Sequence, residues 1–116
     1  MQLGFIGLGL MGASLAANLQ KAGHKLTVHD ARRAAADAHV KSGAAWADTP
    51  RAVAEASEVV FTSLPGPPQV EAVALGADGL LAGMKRGHAY FDLSTNSRAT
   101  AIKIHGAFAE KGAHMF

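Results

Sequence analysis

The chain alternates between short runs of consecutive apolar residues and longer segments in which apolar residues recur every three or four positions. The runs are typical of strands buried on both faces of a sheet, and the longer segments are typical of helices packed on one side. The pattern predicts strands at 2–6, 25–29, 44–46, 58–63, 88–93 and 113–116. It predicts helices at 10–22, 32–41, 50–57, 67–74 and 97–111, with a loop at 76–87 that includes one helical turn.

Alternation of strands and helices implies right-handed crossovers and a parallel sheet that is covered on both faces. With a glycine-rich turn after the first strand, it predicts an α/β chain with a doubly wound parallel sheet of about six strands, the Rossmann fold, in the order 3-2-1-4-5-6. Ligands bind in such sheets where the carboxyl ends of strands one and four diverge. Segments 7–12, 64–66 and 94–97 follow strands one, four and five, so we expect them to line one crevice.

Composition narrows the range of functions. The 116 residues, 49% hydrophobic and 17% charged, suit a single domain. Eleven Lys and Arg against nine Asp and Glu leave a net charge of +2, too small an excess for a nucleic-acid binder. The absence of cysteine excludes disulfides and a thiol nucleophile and fits a cytoplasmic location. The six histidines lack metal-ligand spacing, so no metal site is expected.

The first twenty residues carry no charged side chain, which raises the question of a membrane span or a signal peptide. Four glycines interrupt this stretch, and no Lys or Arg precedes it. The stretch is therefore interpreted as a buried strand followed by a helix, with no membrane partner.

The turn after the first strand contains the pattern Gly7-x-Gly9-x-x-Gly12. Its position between a strand and a helix is the context in which this pattern binds a dinucleotide. Gly7 permits the tight turn, Gly9 lets a pyrophosphate approach the backbone, and Gly12 allows the helix to pack on the strand. The free N–H groups at the start of the helix would hold the phosphate charge.

Asp30 ends the second strand, where a carboxylate accepts hydrogen bonds from the adenosine ribose hydroxyls. A carboxylate there repels a 2′-phosphate and so favours NAD over NADP. Arg32 and Arg33 favour the opposite choice, because a guanidinium can grip that phosphate. Capping of the following helix is an alternative role for Asp30, and the two roles can coexist.

Several segments together resemble the β-hydroxyacid dehydrogenase family, which includes 3-hydroxyisobutyrate dehydrogenase, tartronate semialdehyde reductase and the 6-phosphogluconate dehydrogenases. Residues 4–12 (Gly-Phe-Ile-Gly-Leu-Gly-Leu-Met-Gly), continuing through Leu-Ala-Ala-Asn-Leu at 15–19, resemble the family's opening signature. Leu64-Pro65 resembles its cofactor-facing pair, and Asp-Leu-Ser-Thr at 92–95 resembles its Asp-x-Ser-Thr element. The resemblance covers essentially all of the chain. Ser14 and Arg98 depart from the family by standing where proline is frequent.

The resemblance implies roles for individual residues. The cofactor-binding set is Gly7, Leu8, Gly9, Leu10, Met11, Gly12, Asp30, Leu64, Pro65, Gln69 and Thr95. Within it, residues 8–11 would wrap the pyrophosphate and Thr95 would lie near the nicotinamide. Ser94 and Asn96 would lie at the substrate mouth, although both could instead cap the helix that begins near Ser97.

In the resembled family a helical second domain carries a catalytic lysine and a Gly-Gly substrate loop. This chain stops at Phe116, inside a predicted core strand, and none of its lysines lies in that context. The expectation is therefore one dinucleotide-binding domain at 1–116, a fragment or engineered domain of a longer enzyme. It would contain no catalytic residue and be inactive alone.

The function implied is that of the NAD(P)-binding domain of an oxidoreductase that transfers a hydride between the cofactor and a small β-hydroxyacid or its semialdehyde. An imine reductase on the same scaffold and a non-catalytic dinucleotide-binding module are the alternatives. Dinucleotide and hydroxyacid are the expected partners, and an open sheet edge would favour a homo-oligomer.

Overall fold

The computed structural model describes residues 1–116 and contains one six-stranded parallel sheet. The strands run in the order β3-β2-β1-β4-β5-β6, which confirms the predicted doubly wound topology. Strands β1 and β4 are adjacent, with Phe5 opposite Phe61. The strands are β1 Gln2–Ile6, β2 Lys25–His29, β3 Ala45–Trp46, β4 Val59–Thr62, β5 Ala89–Asp92 and β6 His114–Met115.

Six α-helices connect the strands, and all but one have bounds close to those predicted. The short turn predicted inside the 76–87 loop is present as α5. The helices are α1 Leu10–Lys21, α2 Asp37–Lys41, α3 Pro50–Ala56, α4 Pro67–Leu75, α5 Leu80–Gly83 and α6 Arg98–Glu110. None of them combines the length and the apolar character that crossing a lipid bilayer requires.

The predicted continuous helix at 32–41 is wrong in its first half. Arg33–Ala36 forms a 3₁₀ turn, and only Asp37–Lys41 is α-helical. The reason lies just upstream, where the Asp30 carboxylate accepts a hydrogen bond from the Arg32 N–H at 2.9 Å. This bond stabilises a local turn and leaves Arg32 extended, with φ −106° and ψ 109°. A helix therefore cannot start at Arg32.

The sheet separates two apolar cores. Ile6, Val60 and Tyr90 point to the core that contains side chains of α3–α6. Leu3, Phe5 and Val28 point to the other core, together with Ala16 of α1. Because both faces of the central strands are buried, a site on them can form only at the strand ends, and ligands bind doubly wound sheets at the carboxyl ends.

A row of aromatic rings crosses the sheet on the α1 side. It runs from Phe5 through Phe61 and Phe91 to Phe116, with ring centroids 6.1, 5.4 and 4.8 Å apart. Exposure differs between the ends of the row, from 1% at Phe5 to 67% at Phe116. The row therefore ends as an apolar surface beside the β6 edge of the sheet.

Candidate functional site

A cleft of about 700 Å³ opens at the carboxyl ends of β1, β2, β4 and β5. It brings together the three segments that were expected to share a crevice: the glycine turn, the segment after β4 and the segment after β5. The predicted residues that line it are Gly7, Gly9, Leu10, Met11, Gly12, Asp30, Leu64, Pro65, Gln69, Ser94 and Thr95. Leu8, whose side chain is buried in the α1 core, and Asn96 do not line it.

The three motif glycines have different surroundings. A Cβ on Gly7 would overlap the carbonyl oxygen of Ser63, and one on Gly12 would overlap the carbonyl oxygen of Gly7. A Cβ on Gly9 would meet no atom within 4 Å, and the φ of Gly9 is −69°, which any residue adopts. The fold therefore requires glycine at positions 7 and 12, whereas Gly9 leaves open space on the cleft.

Four consecutive backbone N–H groups in this turn, at residues 9–12, have no acceptor within the chain. They lie at the start of α1, where the helix dipole favours negative charge, and no acidic residue occupies the first turn of that helix. Beside the open face of Gly9, these donors form a cradle that fits a phosphate group.

Asp30 holds the glycine turn from the end of β2. Its Oδ2 accepts a hydrogen bond from the Leu8 N–H at 2.7 Å, and its Oδ1 accepts the Arg32 N–H at 2.9 Å. The capping role considered for Asp30 is not present, because Arg32 is the N-cap of the 3₁₀ turn and no side chain caps it. The bond to the Arg32 N–H instead closes a local turn that ends β2. Each carboxylate oxygen keeps a second lone pair, so these two bonds leave room for acceptance from a ligand hydroxyl.

The two arginines after Asp30 differ in position. Arg32 lines the cleft, whereas Arg33 does not. The guanidinium carbon of Arg33 lies 4.6 Å from the ring centroid of Trp46, a cation–π arrangement. The Trp46 indole in turn donates to Asp48 and packs against His29. Arg33 is therefore held on Trp46, and Arg32 is the cation available at the cleft.

At the end of β5, hydrogen bonds within the chain engage Ser94 and Asn96. The Ser94 Oγ accepts a hydrogen bond from the Leu64 N–H at 2.7 Å. Asn96 donates through Nδ2 to Asp92 and accepts through Oδ1 from the Ser97 N–H. Neither residue caps α6, because Ser97 occupies the N-cap position and accepts from the Thr100 N–H at 3.1 Å.

A buried polar chain leads from the core to this segment. The Thr62 hydroxyl donates to Asp92 Oδ1 at 2.9 Å, so the Tyr90 hydroxyl, 2.8 Å from Thr62, must donate to Thr62. Burial raises the pKa of the Tyr90 hydroxyl well above its ordinary value, and the charge of Asp92 raises it further. Tyr90 therefore stays neutral in the folded chain at pH values where an exposed tyrosine ionises.

This shift predicts a loss of stability at alkaline pH. Because the folded pKa of Tyr90 is raised above the unfolded value of 10.0, the contribution of neutral Tyr90 is complete below pH 10 and is lost as the pH rises towards the folded pKa. Between pH 9 and pH 11 the free energy of unfolding should fall by about 1.4 kcal/mol more in the unmodified chain than in Tyr90→Phe. Urea unfolding across this range measures both slopes, and equal slopes would contradict the prediction.

Other residues of the cleft were not predicted from the sequence, although signals for some of them existed. His29 and Ala31 flank Asp30 at the end of β2, a position from which side chains reach the crevice. Ala72 and Val73 lie three and four positions after Gln69 in α4, so they share its helical face. The spacing from Gln69 would have located this pair.

The chain matches the family model described as the NAD binding domain of 6-phosphogluconate dehydrogenase over residues 2–116. It is 42% identical to the NAD-dependent L-serine dehydrogenase of Pseudomonas aeruginosa over 114 residues, which cover 98% of this chain and 38% of that protein. It is 43% identical to the 3-hydroxyisobutyrate dehydrogenase of the same organism over 110 residues, which cover 95% of this chain and 37% of that protein.

Solved structures agree with these matches. Psf3 in complex with NADP+ and 2-OPP superposes with a TM-score of 0.91 at 37% identity and covers 97% of this chain and 40% of that one. An imine reductase from Streptomyces aurantiacus superposes with a TM-score of 0.85 at 30% identity, covering 99% and 39%. The chain thus spans 37–40% of the length of these four proteins.

Proposed function

The chain belongs to the β-hydroxyacid dehydrogenase family as its N-terminal NAD-binding domain, and from this premise we propose that it serves an oxidoreductase acting on a small β-hydroxyacid or its semialdehyde. The observation that carries the proposal is the open face of Gly9 beside four unpaired N–H groups. Because the fold does not require glycine at position 9, we attribute this glycine to the close approach of a ligand.

The residues of the cleft fit a dinucleotide along its length. The N–H groups of residues 9–12 would hold the pyrophosphate, and Asp30 would accept from the adenosine ribose. Leu64, Pro65, Gln69 and Thr95 would border the nicotinamide half. When bound, the cofactor supplies the hydride acceptor or donor. The exposed side chains of Leu10 and Met11, 95% and 66% accessible, stand at the cleft and would cover the bound cofactor.

The titratable side chains of the cleft lie away from the proposed nicotinamide half, which borders the ends of β4 and β5. The titratable residues lining the cleft are His29, Asp30 and Arg32, all at its β2 end. No lysine lines it. We therefore propose that residues outside 1–116 supply the acid or base that exchanges a proton with the substrate hydroxyl, while Ser94 lies near the substrate mouth. Asn96 would act at the substrate mouth only indirectly, by stabilising the segment that carries Ser94.

The NAD preference predicted from Asp30 can be tested together with the two arginines. We expect the chain to bind NADH about tenfold more tightly than NADPH, because the Asp30 carboxylate repels a 2′-phosphate. Arg32→Ala should weaken NADPH binding further and leave NADH nearly unchanged. Arg33→Ala, the matched control, should change the ratio little, since its guanidinium lies on Trp46.

Isothermal titration of both cofactors into the unmodified chain and the three variants Arg32→Ala, Arg33→Ala and Asp30→Ala measures these ratios. Asp30→Ala should weaken both cofactors, because the Leu8 N–H loses its acceptor, and should bring the two affinities closer together. Tighter binding of NADPH by the unmodified chain would show that Arg32 outweighs Asp30 and that NADP is the cofactor.

An imine reductase is the second candidate, favoured by the similarity to the Streptomyces aurantiacus structure. The two candidates share the binding domain and differ in the group that exchanges the proton. Reduction of a cyclic imine, without oxidation of 3-hydroxyisobutyrate or serine, by a protein containing this domain would favour the imine reductase. Oxidation of either hydroxyacid would favour the dehydrogenase.

Two further proposals concern the cellular location and the oligomeric state of the domain. A cytoplasmic location fits a chain without cysteine. Association of identical chains would bury the apolar surface where the aromatic row ends at Phe116. Sedimentation velocity at rising protein concentration measures that association.

A further inference from the structure

Asp92, the last residue of β5, accepts three hydrogen bonds although it does not line the cleft. Its Oδ1 accepts from the Thr62 hydroxyl at 2.9 Å and from the Ser94 N–H at 3.0 Å, and its Oδ2 accepts from Asn96 Nδ2 at 2.9 Å. The ion pairs of the chain join Arg51 to Glu55 and Lys103 to Glu71, so no cation pairs with Asp92. Neutral donors alone hold this carboxylate.

These bonds connect two segments of the cleft. The Ser94 N–H is fixed by Asp92, and the Ser94 Oγ accepts from the Leu64 N–H at 2.7 Å. Leu64 follows β4 and Ser94 follows β5, and both line the cleft. The hydroxyl hydrogen of Ser94 has no acceptor within the chain, so it is free to be donated to a ligand.

Asn96 is held in one orientation. Its Oδ1 accepts from the Ser97 N–H at 2.8 Å while its Nδ2 donates to Asp92. Rotating the amide by 180° would place an oxygen against the Asp92 carboxylate and an NH₂ group against the Ser97 N–H, and both contacts would be repulsive. Asn96 therefore completes a closed loop from Asp92 to the start of α6, with Ser94 and Thr95 inside it.

We propose that the Asp92 carboxylate and the Asn96 amide form a brace that positions the Ser94–Thr95 segment against the nicotinamide half of the cofactor. Asp92 is a positioning residue, which acts on the ligand only through Ser94 and Thr95. The inference rests on the proposed function of the cleft. It gives Asn96 a role inside the protein that differs from direct contact with the substrate.

Exchanging donor and acceptor across the brace tests it. Asp92→Asn places an NH₂ group against the Nδ2 of Asn96 or, with the amide rotated, against the Ser94 N–H. Asn96→Asp places a carboxylate against the Oδ2 of Asp92. Each single variant therefore breaks the brace. In the double variant D92N/N96D, the amide now at position 92 donates to the carboxylate now at position 96, which still accepts from the Ser97 N–H. All the hydrogen bonds of the brace are restored, with the charge moved from one position to the other.

The readouts are the affinities for NADH and for ADP-ribose, which lacks the nicotinamide, and hydrogen exchange of the Leu64 amide in the free chain. Each single variant should bind NADH about tenfold more weakly, consistent with the loss of one charge-assisted hydrogen bond, and bind ADP-ribose within about twofold of the unmodified chain. Exchange at Leu64 should accelerate in both single variants. The double variant should recover NADH affinity to within about threefold and regain the protection at Leu64.

Ser57→Ala is the control for a general loss of stability. Ser57 donates a buried hydrogen bond to the Val53 carbonyl at 2.7 Å and does not line the cleft. This variant should lower the melting temperature by about 4 °C without changing either affinity.

Three outcomes would overturn the brace. They are unchanged NADH affinity in both single variants, an equal loss of ADP-ribose affinity, and a double variant no better than the weaker single one. Absence of NADH and ADP-ribose binding by the unmodified chain would overturn the proposed function, and this inference with it. The Leu64 exchange would still report whether the brace exists.

Discussion

Gly9→Val should weaken NADH binding at least about 100-fold and leave the domain folded. The valine side chain would occupy the open space beside the N–H groups of residues 9–12, where a pyrophosphate must approach. Loss of two charge-assisted hydrogen bonds, at about 1.5–3 kcal/mol each, accounts for at least this factor. The backbone tolerates valine, because the φ of Gly9 is −69° and no atom lies within 4 Å of the added Cβ.

Fluorescence titration with NADH measures the affinity, and circular dichroism with urea unfolding checks the fold. Gly106→Val is the matched control, because a Cβ at Gly106 also meets nothing within 4 Å and α6 carries it outside the cleft. It should leave NADH affinity unchanged. A folded Gly9→Val variant that binds NADH as the unmodified chain does would show that the phosphate site lies elsewhere.

The order of the strands could be predicted from the sequence, because topology follows from a few strong rules. Apolar runs separated by amphipathic helices leave little choice beyond right-handed crossovers in a parallel sheet. The turn at Arg33–Ala36 could not be predicted in the same way. Alanine-rich sequence favours a helix, and the hydrogen bond from Arg32 N–H to Asp30 that delays this helix depends on where β2 ends in space.

Most residues of the site could be predicted from the sequence, whereas the hydrogen bonds between them could not. Strand ends and the glycine pattern located the cleft, since parallel strands bring their carboxyl ends to one edge. The direction of each hydrogen bond requires coordinates. Asn96, whose residue type suits a substrate contact, has both amide atoms bonded to Asp92 and Ser97. Asp92 lies within the Asp-x-Ser-Thr element at 92–95. Its hydrogen bond from Thr62 joins β5 to β4, and no sequence pattern predicts it.

The largest effect on stability is expected from Gly7→Ala, which should lower the free energy of unfolding by more than about 3 kcal/mol beyond the loss caused by Gly23→Ala. Both glycines have positive φ, +96° at Gly7 and +92° at Gly23, so each variant carries a strain of about 1–2 kcal/mol. A Cβ at Gly23 meets nothing within 4 Å, whereas one at Gly7 overlaps the carbonyl oxygen of Ser63. The difference between the two variants therefore isolates the steric overlap.

Relief of that overlap would require β1 and β4 to separate at their carboxyl ends. The Ser63 N–H is bonded to the Ile6 carbonyl at 2.9 Å, so this movement would break a ladder bond between β1 and β4. The bond from the Gly7 N–H to the His29 carbonyl, at 3.1 Å, ties the end of β1 to β2 and resists the movement. Urea unfolding of the two variants at equal protein concentration measures the difference. Equal losses in the free energy of unfolding would mean that the ends of β1 and β4 move apart at little free-energy cost. The cleft walls would then lack the rigidity that positions the glycine turn for phosphate.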